Sequence, residues 1–240
     1  MKTIGLIGGM SWESTAVYYR LINERVRACA GGLRSAEIVL RSLDFERIVA
    51  LQQADRWDEA GRVLGAAAAG LVQAGAECML ICTNTMHLVA EPVACAAGVP
   101  LIDIITETGR ALAAAHRRRP LLLATRYTME HGFYAEKMRR EAGIEVMVPN
   151  AADRSAVHAI IFDELCRGEI REASRKQLFD IIDRGIAAGA DSVILGCTEI
   201  CLILDPDRLA CPGFDSTAIH ARAAVDFALA EAGPGLRSAA

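Results

Sequence analysis

Two stretches of this chain are versions of one pattern, and the pattern leaves few folds open. They are Ala74-Gly75-Ala76-Glu77-Cys78-Met79-Leu80-Ile81-Cys82-Thr83-Asn84 and Ala188-Gly189-Ala190-Asp191-Ser192-Val193-Ile194-Leu195-Gly196-Cys197-Thr198-Glu199. In each, Ala-Gly-Ala before an acid closes an Ala-rich helix. An apolar run suited to a buried parallel strand follows, and Cys-Thr with a polar residue stands at its carboxyl end. In an open α/β sheet that end is where ligands bind. The second copy has one more residue between its acid and its cysteine. We read the pair as a duplication that places one thiol in each half.

Strand and helix patterns alternate around both copies. Strands are expected at 3–10, 37–43, 78–81, 101–104, 121–124, 144–148 and in the second motif. Helices are expected after Ser11, within 44–53, at 58–73, from Thr85 to before Gly98, at 106–116, through Tyr134 and Met138 to Gly143, at 157–166, at 172–188, and after Phe214-Asp215-Ser216-Thr217. Such alternation predicts an α/β fold of parallel sheets flanked by helices, and the near-equal spacing from Thr3 to Cys82 and from Pro120 to Cys197 predicts two pseudo-symmetric domains, with the paired thiols of an active site in the cleft between them. The expected domains are 1–104 plus 215–240, with the last helix packed back, and 105–214. Residues from Gly233 onward read as frayed.

Composition narrows the partners. The net charge of -4 comes with scattered arginines, which argues against nucleic acid. Arg117-Arg118-Arg119 before Pro120 reads as a solvated helix end. No apolar run reaches the ~18 residues of a membrane span, and Met1-Lys2-Thr3 lacks a basic leader, so a cytoplasmic protein is expected. The eight cysteines lie singly and should be reduced thiols. Without a C-x-x-C pair no metal is expected. Gly8-Gly9 lacks the third glycine of a dinucleotide loop and is better taken as site wall.

A cysteine between a strand tip and a helix start meets backbone N–H groups and a helix dipole, which should lower its pKa toward a reactive thiolate. Two such thiols, Cys82 and Cys197, suit inversion at a carbon acid: one sulfur removes a proton while the other delivers one to the opposite face. Hydrogen-bond donors at the same tips would hold a carboxylate and the developing enolate. No lysine has a Schiff-base context, so no cofactor is expected. Cys29, Cys78 and Cys95 read as core and Cys201 as packing. Cys166 and Cys211 are left open, as are His87 and His220, which could belong to the site or merely cap and pack.

Cys82-Thr83-Asn84-Thr85 and Gly196-Cys197-Thr198-Glu199 resemble the two signature segments of the aspartate/glutamate racemase superfamily. Gly8-Gly9-Met10-Ser11-Trp12-Glu13-Ser14-Thr15, Thr125-Arg126-Tyr127-Thr128-Met129 and Phe214-Asp215-Ser216-Thr217-Ala218-Ile219-His220 resemble its cofactor-independent broad-specificity amino-acid racemases. The resemblance implies catalysis by Cys82 and Cys197, usually in a homodimer. It also implies substrate contacts by Met10, Gln52, Thr83, Asn84, Thr85, Thr125, Thr128 and Thr198, with Glu199 beside the second thiol. Glutamate racemases carry histidine where this chain has Glu199. Strict aspartate racemases have a Pro-Asp-Arg segment from which Leu43-Asp44-Phe45-Glu46-Arg47 departs. A small amino acid, neutral and polar or acidic, is the expected substrate.

Overall fold

The computed structural model describes residues 1–230, so the expected fraying from Gly233 onward lies outside the described residues. The chain divides into two compact units, Met1–Asp103 with the chain from His220, and Ile104–Ile219. In chain order the first unit holds β1 (Ile4–Gly8), α1 (Trp12–Ala30), β2 (Ile38–Ser42), α2 (Phe45–Gln53), α3 (Trp57–Gln73), β3 (Cys78–Ile81) and α4 (Ala90–Ala97). The second holds α5 (Ile104–Ala114), β4 (Pro120–Leu123), α6 (Arg126–Glu130), α7 (Phe133–Ala142), α8 (Ala151–Ala159), α9 (Glu172–Ala187), β5 (Ser192–Leu195) and β6 (Gly213–Asp215). Helix α10 (Ser216–Leu229) begins in the second unit and runs into the first. The result is α/β with two parallel sheets flanked by helices, as the strand–helix alternation predicts.

The sheets run β2-β1-β3 and β4-β5-β6, and every pairing is parallel. Each gains one residue at an edge, Leu101 beside Met79 and Met147 beside Leu121. Counting those bridges, both units show the same four-place order. The duplicated motifs hold equivalent places in it. Gly75 and Gly189 take φ of 97° and 98°, which glycine reaches without steric cost. Ala76 N–H then donates to Leu71 O, and Ala190 N–H to Gly185 O, both at 3.0 Å. The acids that follow clamp the neighbouring strand's entry: Glu77 Oε2 accepts from Thr3 N–H at 2.8 Å, and Asp191 Oδ2 from Arg118 and Arg119 N–H at 2.6 and 3.0 Å. Each acid thereby sets the register in which its cysteine strand meets β1 or β4.

Expected strands 101–104 and 144–148 are reduced to those single bridges. After Leu101 the next carbonyl, Ile102 O, accepts from His220 Nε2 at 2.7 Å instead of from β3. Ile104 and Ile105 join the buried face of α5 with Thr108 and Leu112. Beside β4, Pro120 has no N–H to continue the ladder. The helix expected from Val157 starts earlier, at Ala151, because Asn150 caps it by accepting from Asp153 N–H at 3.0 Å. It passes through a π-turn, Ile160–Glu164, and ends at Gly168. Gly213–Asp215 adds a strand that the sequence reading did not foresee.

The core cysteines also need correction: Cys78 is buried, but Cys29 and Cys95 are exposed. Cys29 points the same way as Tyr18, Ile22 and Val26 on α1 but lies in its last turn, one residue before the helix ends at Ala30, past the end of the buried stripe. On α4 the buried positions are Ala90, Val93 and Ala97, which turns Cys95 outward.

His220 is enclosed within the first unit. Ile102 O can only accept, so Nε2 carries the ring proton, and Nδ1 takes the Tyr18 hydroxyl at 2.8 Å. Burial, with His87 beside it, lowers its pKa to about 3. In the unfolded chain it titrates near 6.5. The folded pKa is depressed, so the contribution is whole above pH 6.5 and is lost as pH falls toward 3, by about 1.4 kcal/mol per unit. Unfolding midpoints should drop accordingly, and His220→Gln should flatten that slope while keeping a donor for Ile102 O. Equal slopes in denaturant melts across this range would contradict it.

Candidate active site

The implied ligand positions of the first unit gather at the carboxyl end of its sheet. β1 turns at Gly9, whose φ is +83° and where a Cβ would stand 2.2 Å from Leu43 O, so no other residue fits. Gly9 N–H donates to Thr15 Oγ1 at 2.8 Å, and that hydroxyl donates to Ser11 O at 2.9 Å. Ser11 caps α1, a contribution of ~1 kcal/mol, by accepting from Ser14 N–H. The next turn of chain is thus fixed around buried Met10. Asp44 caps α2, which buries Ile48, Leu51 and Gln52. The Gln52 amide donates to Met86 Sδ at 3.1 Å.

Cys82 continues β3: its N–H donates to Ile7 O at 2.9 Å. Thr83 is half-buried, whereas Asn84 and Thr85 are buried. The chain then turns into a 3-10 segment, Thr85–Val89. His87 folds back so that its Nδ1–H donates to Thr83 O at 2.8 Å. Its ring meets that of His220 edge-on, with centroids 5.7 Å apart. His87, His220 and Tyr18 therefore form a buried polar chain behind the Cys82 tip. Both histidines pack and pin backbone, which the sequence alone leaves open.

The second unit repeats the arrangement one residue out of step. Gly196, not the cysteine, continues the ladder by donating to Leu123 O at 2.8 Å. Cys197 lies beyond it, and the Sγ–H donates to Glu199 Oε2 at 2.9 Å. The extra residue noted in the second motif is this Gly196. Thr198 Oγ1 pairs with Thr217 Oγ1 at 2.9 Å, and Ser216 Oγ donates to Leu195 O at 2.9 Å. On the neighbouring tip Thr125 caps α6, with its Oγ1 3.2 Å from Thr128 Oγ1. Thr217 was not among the expected site residues. The signal was present in Asp215-Ser216-Thr217, since Asp215 Oδ1 accepts from Thr217 N–H at 2.8 Å and starts α10 beside the cysteine tip.

The expected lowering of both thiol pKa values is overturned. Burial pushes Cys82 up, and burial with Glu199 and Cys166 nearby pushes Cys197 up. The segments after the cysteines are 3-10 turns of five residues, Thr85–Val89 and Thr198–Leu202, rather than α-helices. They offer little dipole against the desolvation of a buried thiolate. Both sulfurs rest as thiols. Cys201 packs against the core of the second unit, as expected, and burial first, then Asp215, raise its pKa as well. Among the described residues no group of three His, Cys, Asp or Glu could hold a metal ion.

Residues 7–224 match the Asp/Glu/hydantoin racemase family. A solved structure of a candidate Asp/Glu racemase from Yersinia pestis is similar with 48% identity and a TM-score of 0.89, covering 95% of this chain and 100% of that one. An aspartate racemase homologue from Pyrococcus horikoshii OT3 follows with 32% identity and a TM-score of 0.83, covering 95% and 99%. The broad specificity amino-acid racemase RacX of Bacillus subtilis (strain 168) is 24% identical over 95% of this chain and 98% of its own length.

Proposed function

Because the chain belongs to the Asp/Glu/hydantoin racemase family, we propose that it is an amino-acid racemase inverting an α-carbon through Cys82 and Cys197, without a cofactor. The observation that carries this reading is the repeated strand-tip cysteine, Cys82 after β3 and Cys197 after β5, each backed by Thr hydroxyls. The substrate's α-ammonium favours a nearby thiolate over the thiol, and so offsets the burial that keeps both sulfurs protonated. Glu199 accepts the Cys197 proton along the hydrogen bond it already makes. One thiolate removes the α-proton while the other thiol delivers one to the opposite face. Donors from Thr83, Asn84, Thr85, Thr125, Thr128 and Thr198 hold the carboxylate and stabilise the enolate as charge develops.

Met10 and the buried amide of Gln52 face the substrate side chain in this proposal. Arg47 lies on the exposed side of α2, away from Gln52, and Arg126 is exposed at the start of α6. A distal carboxylate held without a cation is costly. The substrates are therefore neutral polar amino acids as well as, or better than, aspartate. The protein works as a cytoplasmic homodimer in the same reading, and sedimentation of the purified chain checks its oligomeric state.

The test is turnover of single L-amino acids by purified protein with no added cofactor, followed by chiral chromatography. Homoserine, methionine or glutamine should yield the D-form at rates matching or exceeding aspartate. Aspartate or glutamate reacting orders of magnitude faster would overturn the substrate assignment, and no inversion of any of them would overturn the racemase itself.

A further inference from the structure

We propose, building on the racemase reading, that Thr217 is a positioning residue for the reaction: its hydroxyl donates to Thr198, which leaves the Thr198 proton for the substrate. Strand β6 runs parallel to β5 with Leu195 opposite Asp215, so Cys197 and Thr217 both stand just past the last pair of the ladder. Asp215 Oδ1 accepts from Thr217 and Ala218 N–H at 2.8 and 3.1 Å, and Ser216 Oγ donates to Leu195 O at 2.9 Å. These bonds tie the first turn of α10 to the end of β5 without using the Thr217 side chain. That side chain turns instead to Thr198, and the two Oγ1 atoms lie 2.9 Å apart.

Two hydroxyls carry two protons, and the bond they share uses one of them. The other stays with the hydroxyl that accepts. Thr217 is 1% exposed, whereas Thr198 is 8% exposed and directly follows Cys197, so the outgoing proton belongs on Thr198. An anionic group at the tip selects that direction, from Thr217 to Thr198 to the carboxylate or the enolate. A hydroxyl that already accepts a hydrogen bond is polarised and donates a stronger one. Because the fold fixes Thr217, the Thr198 donor is aimed before charge develops and needs little reorganisation as it does. Thr217 acts through Thr198 alone and does not itself touch the reacting atoms.

Steady-state inversion of the fastest amino-acid substrate, measured in single and double variants, tests this. Thr217→Val keeps the side-chain shape and every cap of α10, and should lower kcat/KM about tenfold. Thr217→Ser restores the hydroxyl and should recover most of that loss. Thr198→Val should also lower kcat/KM, and adding Thr217→Val to it should cost nothing further, since the group through which Thr217 acts is already gone. A residue that merely supported the fold would add its loss to that of Thr198→Val. Melting curves of all four variants check that the fold is kept. Full activity in Thr217→Val, a loss in Thr217→Ser as deep as in Thr217→Val, or losses that add in the double variant would each overturn the role of Thr217 and leave the racemase reading intact. Unsubstituted protein that inverts no amino acid would overturn that reading, and the role of Thr217 with it.

Discussion

Serine in place of either Cys82 or Cys197 should abolish inversion in both directions, by at least the roughly 10²–10⁴-fold that positioned acid–base groups contribute. A hydroxyl at either strand tip is far too weak an acid and base for an α-carbon. Neither change should unfold the protein: Cys82 keeps its backbone bond to Ile7 O, and Cys197 lies outside the ladder. Circular dichroism and melting curves check that separately from turnover. Either variant retaining near-full activity in both directions would sink the two-thiol scheme. Loss in only one direction would be equally damaging, since each sulfur must serve as acid one way and base the other.

Glu199→Gln should change the two thiols unequally. The carboxylate sits 2.9 Å from Cys197 Sγ and, behind burial, is the first of the groups that raise that thiol. Removing its charge relieves the repulsion any thiolate there would meet, so the Cys197 pKa falls. Alkylation of Cys197 by iodoacetamide near neutral pH should speed up by about tenfold, and Cys82 should be unaffected. Turnover should nevertheless drop, because the amide cannot accept the thiol's proton. Peptide mapping after brief labelling reads both sulfurs at once. A Cys197 rate unchanged or slowed in Glu199→Gln would show that the carboxylate does not govern it.

Much of this was legible in the chain because the motif repeats. Two copies of Ala-Gly-Ala-acid followed by an apolar run and Cys-Thr specify the same helix end, strand and tip, and the structure builds them alike. Less visible was why an acid stands in both. Glu77 and Asp191 act on backbone more than seventy residues away in sequence, and no local pattern announces a partner so remote. The missing strands have the same kind of cause. Ile102 ends its pairing because His220, over a hundred residues later, takes its carbonyl.

The reversed pKa direction of the thiols has a more local origin. Periodicity shows that a helix follows each cysteine, but it does not separate a 3-10 turn from an α-helix. Nor does it show how completely Cys82 is enclosed. Thr217 escaped because a hydroxyl pair with Thr198 bridges two segments, and only the fold brings them together. Arg47 is legible from both sides. Its segment departs from the Pro-Asp-Arg motif of strict aspartate racemases, and the 100° step of the helix carries it away from Gln52.

The central claim is that two sulfurs share one α-carbon, and isotope placement early in the reaction tests it most directly. Pure L-homoserine or L-glutamine incubated with the protein in deuterated water should give D-product that carries deuterium, while the remaining L-substrate stays protiated. That asymmetry arises because the proton is removed by one group and supplied by another. Deuterium entering residual substrate as fast as product would mean a single base acting on one face, and the two-thiol account would be wrong.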